Sequence, residues 1–392
     1  MIKCASPQMG EEEIAAVTEV LRSGQLCGGP KVAAFERAFA EWHGGGDPEC
    51  YVAVSSGTAA LQAALTCAEI GPGHEVIVPA HTFASTATAV LMVGARVVFA
   101  DVNSRCQMDH DHAMSLITPF TRAVIPVHYF GDVCDVPMWP GYLSGREKGV
   151  GAFSERFEFL DPALRVIEDC AQAHGSGYDH GDNGGFEQVG CLRHFACWSF
   201  FATKHMTTGG EGGMVRCPDP ETAETARRWR GHGLTNRWNH AFLGGNYRMT
   251  EMAAAIGLVQ LKKVDELNRN RIRVSELLLA GTQDIPWLSA PAPRTNVTHT
   301  YFWCPVLVDE VELGMPTVQL IDHLRQRGVE VRHRYPVPLY RLPVFKARNN
   351  AQPQALPLSE HVAGKFIGLP NRPDMSDGEI NFVLDVLREV KP

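Results

Sequence analysis

Lys204 is the residue whose surroundings in this 392-residue sequence first ask for a chemical explanation. It stands in Cys197-Trp198-Ser199-Phe200-Phe201-Ala202-Thr203-Lys204-His205-Met206-Thr207-Thr208-Gly209-Gly210-Glu211-Gly212-Gly213-Met214-Val215, among apolar and small residues and ahead of a glycine run. A surface lysine has no use for such neighbours. Desolvation or a nearby cation lowers the pKa of an ammonium, and the neutral amine can then condense with a carbonyl as a Schiff base. Ser199 can offer its hydroxyl to an anion. Taken alone, a buried ion pair would explain the same lysine.

Two other segments supply what such an amine would need. In Val166-Ile167-Glu168-Asp169-Cys170-Ala171-Gln172-Ala173-His174 an apolar strand ends at two carboxylates. Acids at the carboxyl end of a parallel strand lie where ligands bind in open α/β sheets. Adjacent strand residues point to opposite faces, so Glu168 and Asp169 diverge. An Asp in that place can keep a pyridine nitrogen protonated and the ring an electron sink, as pyridoxal 5'-phosphate (PLP) requires. Gln172 could then bond the phenolic oxygen of that cofactor. In Val52-Ala53-Val54-Ser55-Ser56-Gly57-Thr58-Ala59-Ala60-Leu61 a strand, a tight turn and a helix start follow one another. Free N–H groups and the helix dipole attract a phosphate there, and Gly57 lets the backbone approach closely. Each of these two segments alone could equally be a capped helix, with Asp169 or Ser56 as the cap.

The elements that must position these residues are legible from periodicity. Glu11 to Leu21 and Val32 to Trp42 read as helices separated by the turn Gly24 to Pro30. From Tyr51, β-branched runs alternate with helical patterns: Tyr51 to Val54, Thr58 to Ala68, Val76 to Val78, Ala84 to Val93 and Arg96 to Phe99. Further strands are expected at Ala123 to Val127 and Arg165 to Ile167. This alternation predicts an α/β fold with a mostly parallel sheet covered by helices on both faces. Gly141 to Pro162 and Gly175 to His194 read as long surface loops. A long helical stretch from about Thr250 to Leu279 leads to Tyr301 to Val308, Val318 to Arg327 and Ile380 to Val390, the strands and helices of a smaller α/β domain. The division expected is 1–265 for the large domain with its N-terminal helices and 266–392 for the smaller one.

Composition narrows the function classes. A net charge of −8 argues against nucleic-acid binding, which needs clustered Lys and Arg in a basic chain. No run approaches the roughly 18 to 20 apolar residues of a membrane span, and Met1-Ile2-Lys3-Cys4 does not open a signal peptide, so a cytoplasmic protein is expected. The 11 cysteines are odd in number and form no CxxC pair, as free thiols in a reducing compartment would.

The ordered set formed by the Lys204 run, Ser56-Gly57-Thr58-Ala59-Ala60-Leu61, Pro79-Ala80-His81-Thr82-Phe83, Glu168-Asp169-Cys170-Ala171-Gln172 and Gly245-Asn246-Tyr247-Arg248-Met249 resembles the DegT family of sugar aminotransferases. These are fold-type I PLP enzymes, and the likeness runs over nearly the whole chain. The resemblance implies that Lys204 carries the cofactor and then shuttles a proton. It implies that Gly57, Thr58 and Ser199 bind the phosphate, Phe83 stacks on the pyridine ring, Asp169 pairs with the ring nitrogen and Gln172 sits by the phenolic oxygen. Asn246 would reach the phosphate of the neighbouring subunit, which makes a homodimer the minimal active unit. L-Glutamate as amino donor and a keto sugar, most simply a nucleotide-linked one, as acceptor also follow from the resemblance. The glycine run after Lys204 is one residue longer than the usual form.

Three other readings compete. A related branch of 3-dehydratases has a histidine in place of the lysine, but here the decisive position holds Lys204 and His205 falls one place late. A metal enzyme is suggested by Asp109-His110-Asp111-His112, although a helix cap at Asp109 explains that run. A PLP-binding sensor would lack turnover, whereas every catalytic position is present here. His232, Arg237 and Tyr335 are further candidates for substrate contact, each also readable as structural.

Overall fold

The computed structural model describes residues 1–136, 164–181, 185–191, 194–292, 294–348 and 355–390. The loop expected at Gly141 to Pro162 lies wholly outside the described residues. Strands β1 (Tyr51–Val54), β2 (Glu75–Pro79), β3 (Arg96–Ala100), β4 (Thr121–Val124), β5 (Arg165–Asp169), β6 (Gly177–Asp179), β7 (Phe186–Gln188), β8 (Phe195–Ser199) and β9 (Gly213–Arg216) form in chain order. The central sheet runs β1-β9-β8-β5-β4-β2-β3. All its neighbours from β8 to β3 pair in parallel, and β9 alone runs against them, between β1 and β8. Continuous apolar strands such as β1, β2 and β8 are buried along their whole length, as a sheet covered on both faces requires.

Helices α1 (Glu11–Ser23), α2 (Pro30–His43), α3 (Gly57–Cys67) and α4 (Ala84–Met92) complete this half. The small-residue faces of α3 and α4 let them lie close on the sheet. On the other face α2 delivers Phe35 and Phe39 into an aromatic cluster with Tyr51, Trp198 and Phe200. The Phe39 ring is 5.3 Å from Trp198 and 5.5 Å from Phe200, both edge-on.

Two expectations are corrected. The stretch Thr250 to Leu279 is two helices, Glu251–Leu261 and Val264–Gly281. The break falls at Lys262-Lys263, where the Lys263 ammonium is drawn to Glu12 (2.7 Å) and Glu13 (2.9 Å) at the start of α1. The described part of Gly175 to His194 is no plain loop: β6 and β7 pair with Val297–Thr298 as a three-stranded antiparallel ribbon. Tyr178 anchors it by inserting its ring into the core and accepting the Val136 N–H at 3.1 Å. Strands of two or three residues are too short to show alternation in a sequence.

Beyond Val264 the chain builds a second core around a four-stranded antiparallel sheet. Its order is Leu288–Ser289, Cys304–Val308, Phe366–Leu369, Arg332–His333, and the helices Thr317–Gln326 and Asp377–Glu389 pack on it. The chain start also joins this unit, since Ile2 bridges Val329 and the Cys4 N–H donates to Glu330 at 3.0 Å. No helix among the described residues is long and apolar enough to cross a membrane.

Because Phe39 is fully buried between the helix and the sheet, Phe39→Ala should cost about 3–5 kcal/mol, read as a lowered urea midpoint with an unchanged slope.

Candidate active site

The parallel strands of the central sheet end on one side of the molecule, and there the candidate residues meet. Strand β1 leads to Gly57 and Thr58 at the start of α3, β2 leads to Phe83, β5 ends at Asp169, and β8 ends at Ser199 with Lys204 in the turn that follows. The helix start is real as well as legible: Ser56 accepts the Ala59 N–H at 3.1 Å. From the second unit come Phe302, Arg334 and Tyr335. Together these groups line a cavity of about 350 Å³. Of the residues expected from the sequence, Gly57, Thr58, Phe83, Asp169, Gln172, Ser199 and Lys204 line it. Asn246 does not; it is exposed, bridged through its backbone to Gly231.

Lys204 keeps part of its surface open to the cavity while protein packs around its amine. Nζ lies 4.3 Å above the centre of the Phe302 ring. Burial pushes its pKa from 10.5 down to about 8, Asp169 opposes that shift, and Arg334 adds to it. Asp169 is buried, and desolvation pushes its carboxyl above the usual range. The Thr86 hydroxyl (2.8 Å) and the Ala171 N–H (3.1 Å), which donate to its two oxygens, hold it back, as does Lys204. Glu168 points the other way, as alternation requires: its Oε2 lies 3.0 Å from His128 Nε2 and accepts the Gly190 N–H at 2.9 Å.

At the start of α3 the cavity wall is bare backbone. A Cβ on Gly57 would fall 2.7 Å from Cβ of Ser199, so only glycine lets α3 begin against β8. The free N–H groups of that helix start, with the hydroxyls of Thr58, Ser85 and Ser199, make an anion cradle. The Thr58 and Ser85 hydroxyls are 2.9 Å apart. Gln172 accepts the Phe130 N–H at 3.1 Å, so its side chain is held at the cavity wall. A phosphate-sized cradle, a flat aromatic wall at Phe83, a buried carboxylate and an amine with a lowered pKa in a single cavity fit pyridoxal phosphate in size and in donor chemistry.

The competing readings lose their sites. The His205 ring is buried 5.3 Å from His174 and 5.8 Å from Phe302 and does not line the cavity. Asp109 caps the helix His110–Ser115 by accepting the His112 N–H at 2.7 Å. Among the described residues, His128, Glu168 and Cys170 lie close enough together for a metal. There His128 already faces Glu168 through Nε2 and accepts the Cys134 N–H through Nδ1 at 3.1 Å, which leaves the imidazole no free nitrogen. Of the weaker candidates, Tyr335 lines the cavity, whereas His232 and Arg237 are exposed elsewhere. Sequence reasoning missed Ser85, Phe302 and Arg334. Arg334 had a signal, since it directly precedes Tyr335-Pro336; Phe302 had none.

Residues 7–149 and 160–388 match the DegT/DnrJ/EryC1/StrS aminotransferase family. The chain belongs to this family. It is 33% identical over 402 residues to dTDP-4-dehydro-2,3,6-trideoxy-D-glucose 4-aminotransferase of Saccharopolyspora spinosa, covering 98% of this chain and 95% of that one. Among solved structures it is similar to S. venezuelae DesV in complex with a ketimine intermediate, with TM-score 0.83 and 31% identity over 97% of this chain and 94% of that one. It is also similar to the sugar aminotransferase Spr1654 of Streptococcus pneumoniae in its PMP form, with TM-score 0.85 and 26% identity over 99% and 97% of the two chains. This chain is thus an aminotransferase of the DegT/DnrJ/EryC1/StrS family, with the fold-type I architecture.

The lowered pKa of Lys204 has a measurable sign. The neutral, reactive form predominates above about pH 8, so labelling of Lys204 in the cofactor-free chain by an amine reagent should rise with a midpoint near 8. Surface lysines should titrate about two units higher, and peptide mass spectrometry across a pH series separates the two classes.

Proposed function

We propose that the protein transfers an amino group from L-glutamate to a keto sugar, most simply a nucleotide-linked one, in two half-reactions at one PLP site. The observation that carries this reading is the shared cavity in which the Lys204 amine faces Asp169 while a helix N-terminus and hydroxyls await a phosphate. The S. spinosa relative, by its name, acts on a dTDP-linked keto sugar, which supports the acceptor class.

When bound, the cofactor supplies an electron sink that stabilises the negative charge left on carbon as a proton departs. The chain's own residues do the rest. Asp169, desolvated and fixed by Thr86 and Ala171, stands ready as counter-ion to a protonated ring nitrogen. Gly57, Thr58 and Ser199 would hold the phosphate, Phe83 would cover the ring face, and Gln172 would reach the phenolic oxygen. Lys204 Nζ would hold the cofactor at rest and, once displaced, would be the base that moves a proton between the substrate carbon and the cofactor carbon. Its lowered pKa, about 8, suits that task, because far more of the amine is in the accepting form near neutral pH than an ordinary lysine would have.

In this reading the active unit is a homodimer and the neighbouring subunit supplies Asn246. Support comes from where that residue sits. Asn246 follows a segment in which Trp238 is 82% and Leu243 92% exposed, apolar surface of the kind a partner covers. We place the division between the two domains near residue 265, next to where the helix Val264–Gly281 carries the chain from one core to the other.

Lys204→Ala should abolish turnover while the fold survives, and borohydride should fix the cofactor to Lys204 in the unmodified protein, seen as a mass increment on its peptide. Asp169→Asn should retain its cofactor yet lose roughly 10²-fold or more in rate, because the counter-charge is gone. A screen of keto sugars against the pyridoxamine-loaded protein, read at the cofactor absorption, identifies the acceptor. Wild-type rates in either variant, or trapping on another residue, would overturn the assignment.

A further inference from the structure

In the proposed reaction Lys204 is released from the cofactor before it acts as a base, so no covalent bond then holds its amine. The base is only as well placed as its backbone. That backbone belongs to no helix or strand: Lys204 stands in the turn after β8, where its N–H donates to Phe201 O at 2.9 Å. The carbonyls of this turn are held from the other unit. Arg271 Nη1 donates to His205 O at 3.2 Å and Nη2 to Lys204 O at 3.4 Å. One planar guanidinium thus grips two consecutive carbonyls of the turn that bears the base.

Arg271 lies on the helix Val264–Gly281, and its neighbours on that helix do similar work. Asn268, Arg271 and Ser275, spaced i, i+3 and i+7, share one face and are buried. Asn268 Nδ2 donates to His174 O at 2.9 Å, just beyond Gln172. Ser275 Oγ accepts from Asn371 Nδ2 at 3.3 Å, and the same amide donates to Tyr301 O, beside the Phe302 ring that underlies the amine. The segments after Gln172, at Lys204 and before Phe302 are therefore tied to one helix.

Charge sets Arg271 apart from the other two. Among the described residues no carboxylate lies within ion-pair distance of it, and Asp374, the acid whose charge reaches it, is paired with Arg372 at 3.0 Å. Burial lowers its pKa from 12.5 to about 10, so it stays a cation at neutral pH. A dry cation without a carboxylate costs the fold stability, and an apolar side chain would fill the same space without that cost. What the guanidinium adds is a rigid fork of donors. The Lys204 pKa follows burial, Asp169 and Arg334, so the part of Arg271 is geometric.

We infer that Arg271 is the positioning residue of the catalytic lysine: it keeps the Lys204 backbone in place at the cofactor while Nζ is free to move a proton. The inference rests on the transaminase reading for the proton step, whereas the hold on Lys204 does not need it.

The test compares the unmodified protein with Arg271→Met, which keeps bulk and removes the donors, and with Arg271→Lys, which keeps the charge on a single nitrogen. In the cofactor-free protein, the rate at which Lys204 captures added pyridoxal phosphate, quenched with borohydride and read on its peptide, should fall about 10-fold in Arg271→Met. In the loaded protein, the half-reaction rate at saturating L-glutamate should fall about 30-fold or more, and the isotope effect of α-deuterated L-glutamate should rise. The half-saturating concentration should move less than about threefold. Arg271→Lys should recover part of both rates. The melting temperature should change by less than about 4 °C, because loss of the donors is offset by relief of a buried charge.

Capture and half-reaction rates within about twofold of the unmodified protein in Arg271→Met would overturn the inference. So would slowed rates that Arg271→Lys does not recover, with a melting temperature lowered by more than about 4 °C, the mark of a residue that only supports the fold. Should Arg271→Met fail to fold, Arg271→Lys decides alone: unmodified rates overturn the inference, and slowed rates at an unchanged melting temperature uphold it. Slowed capture in the variants of a protein whose cofactor no amino acid converts would sink the transaminase reading and leave the hold on Lys204 standing.

Discussion

The site depends on a charge relation between two groups that the fold has taken out of water. Lys204 loses proton affinity because the protein packs around its amine, and Asp169 loses acidity for the same reason. Each partly restores the other, since an opposite charge favours the ionised form. Desolvation outweighs attraction in both, and the partial offset leaves an amine that can be neutral near physiological pH beside an acid that can still carry charge. An exposed pair would be screened to ordinary values, whereas a dry, directly bonded pair would lock as a salt bridge with no proton to move.

Much of the surrounding structure serves that balance. Asp169 ends a strand whose next-door carboxylate, Glu168, is used up on the far side by His128 and Gly190, so two acids in sequence become one in the cavity. The approach of α3 to β8, which no side chain at Gly57 would permit, leaves an anion cradle in the same cavity as Asp169. The second unit closes the cavity with Phe302 under the amine and with Arg334 and Tyr335 at its wall. A cavity built between two packed units is where small-molecule sites concentrate.

The likeness to sugar aminotransferases and the geometry bear on different questions. Family membership covers nearly the whole chain and fixes the kind of reaction. The arrangement of charges assigns parts to individual residues.

By itself the sequence determined the sheet half of the molecule and most of the site. The strands Tyr51–Val54, Glu75–Pro79 and Arg96–Ala100 and their helices follow from local periodicity, and Lys204, Asp169 and Gly57 stand in segments whose composition reports burial or a tight turn. Local physics is enough there because strand ends in a parallel sheet must share one edge. Tertiary structure alone decided what has no local signature. The ribbon through Tyr178 exists because distant two- and three-residue segments meet, and at the break between the two helices after Thr250 Lys263 pairs with Glu12 and Glu13 about 250 residues away. Phe302 and Arg334 enter the cavity from another unit, through contacts between segments far apart in the chain that leave no periodic trace in it.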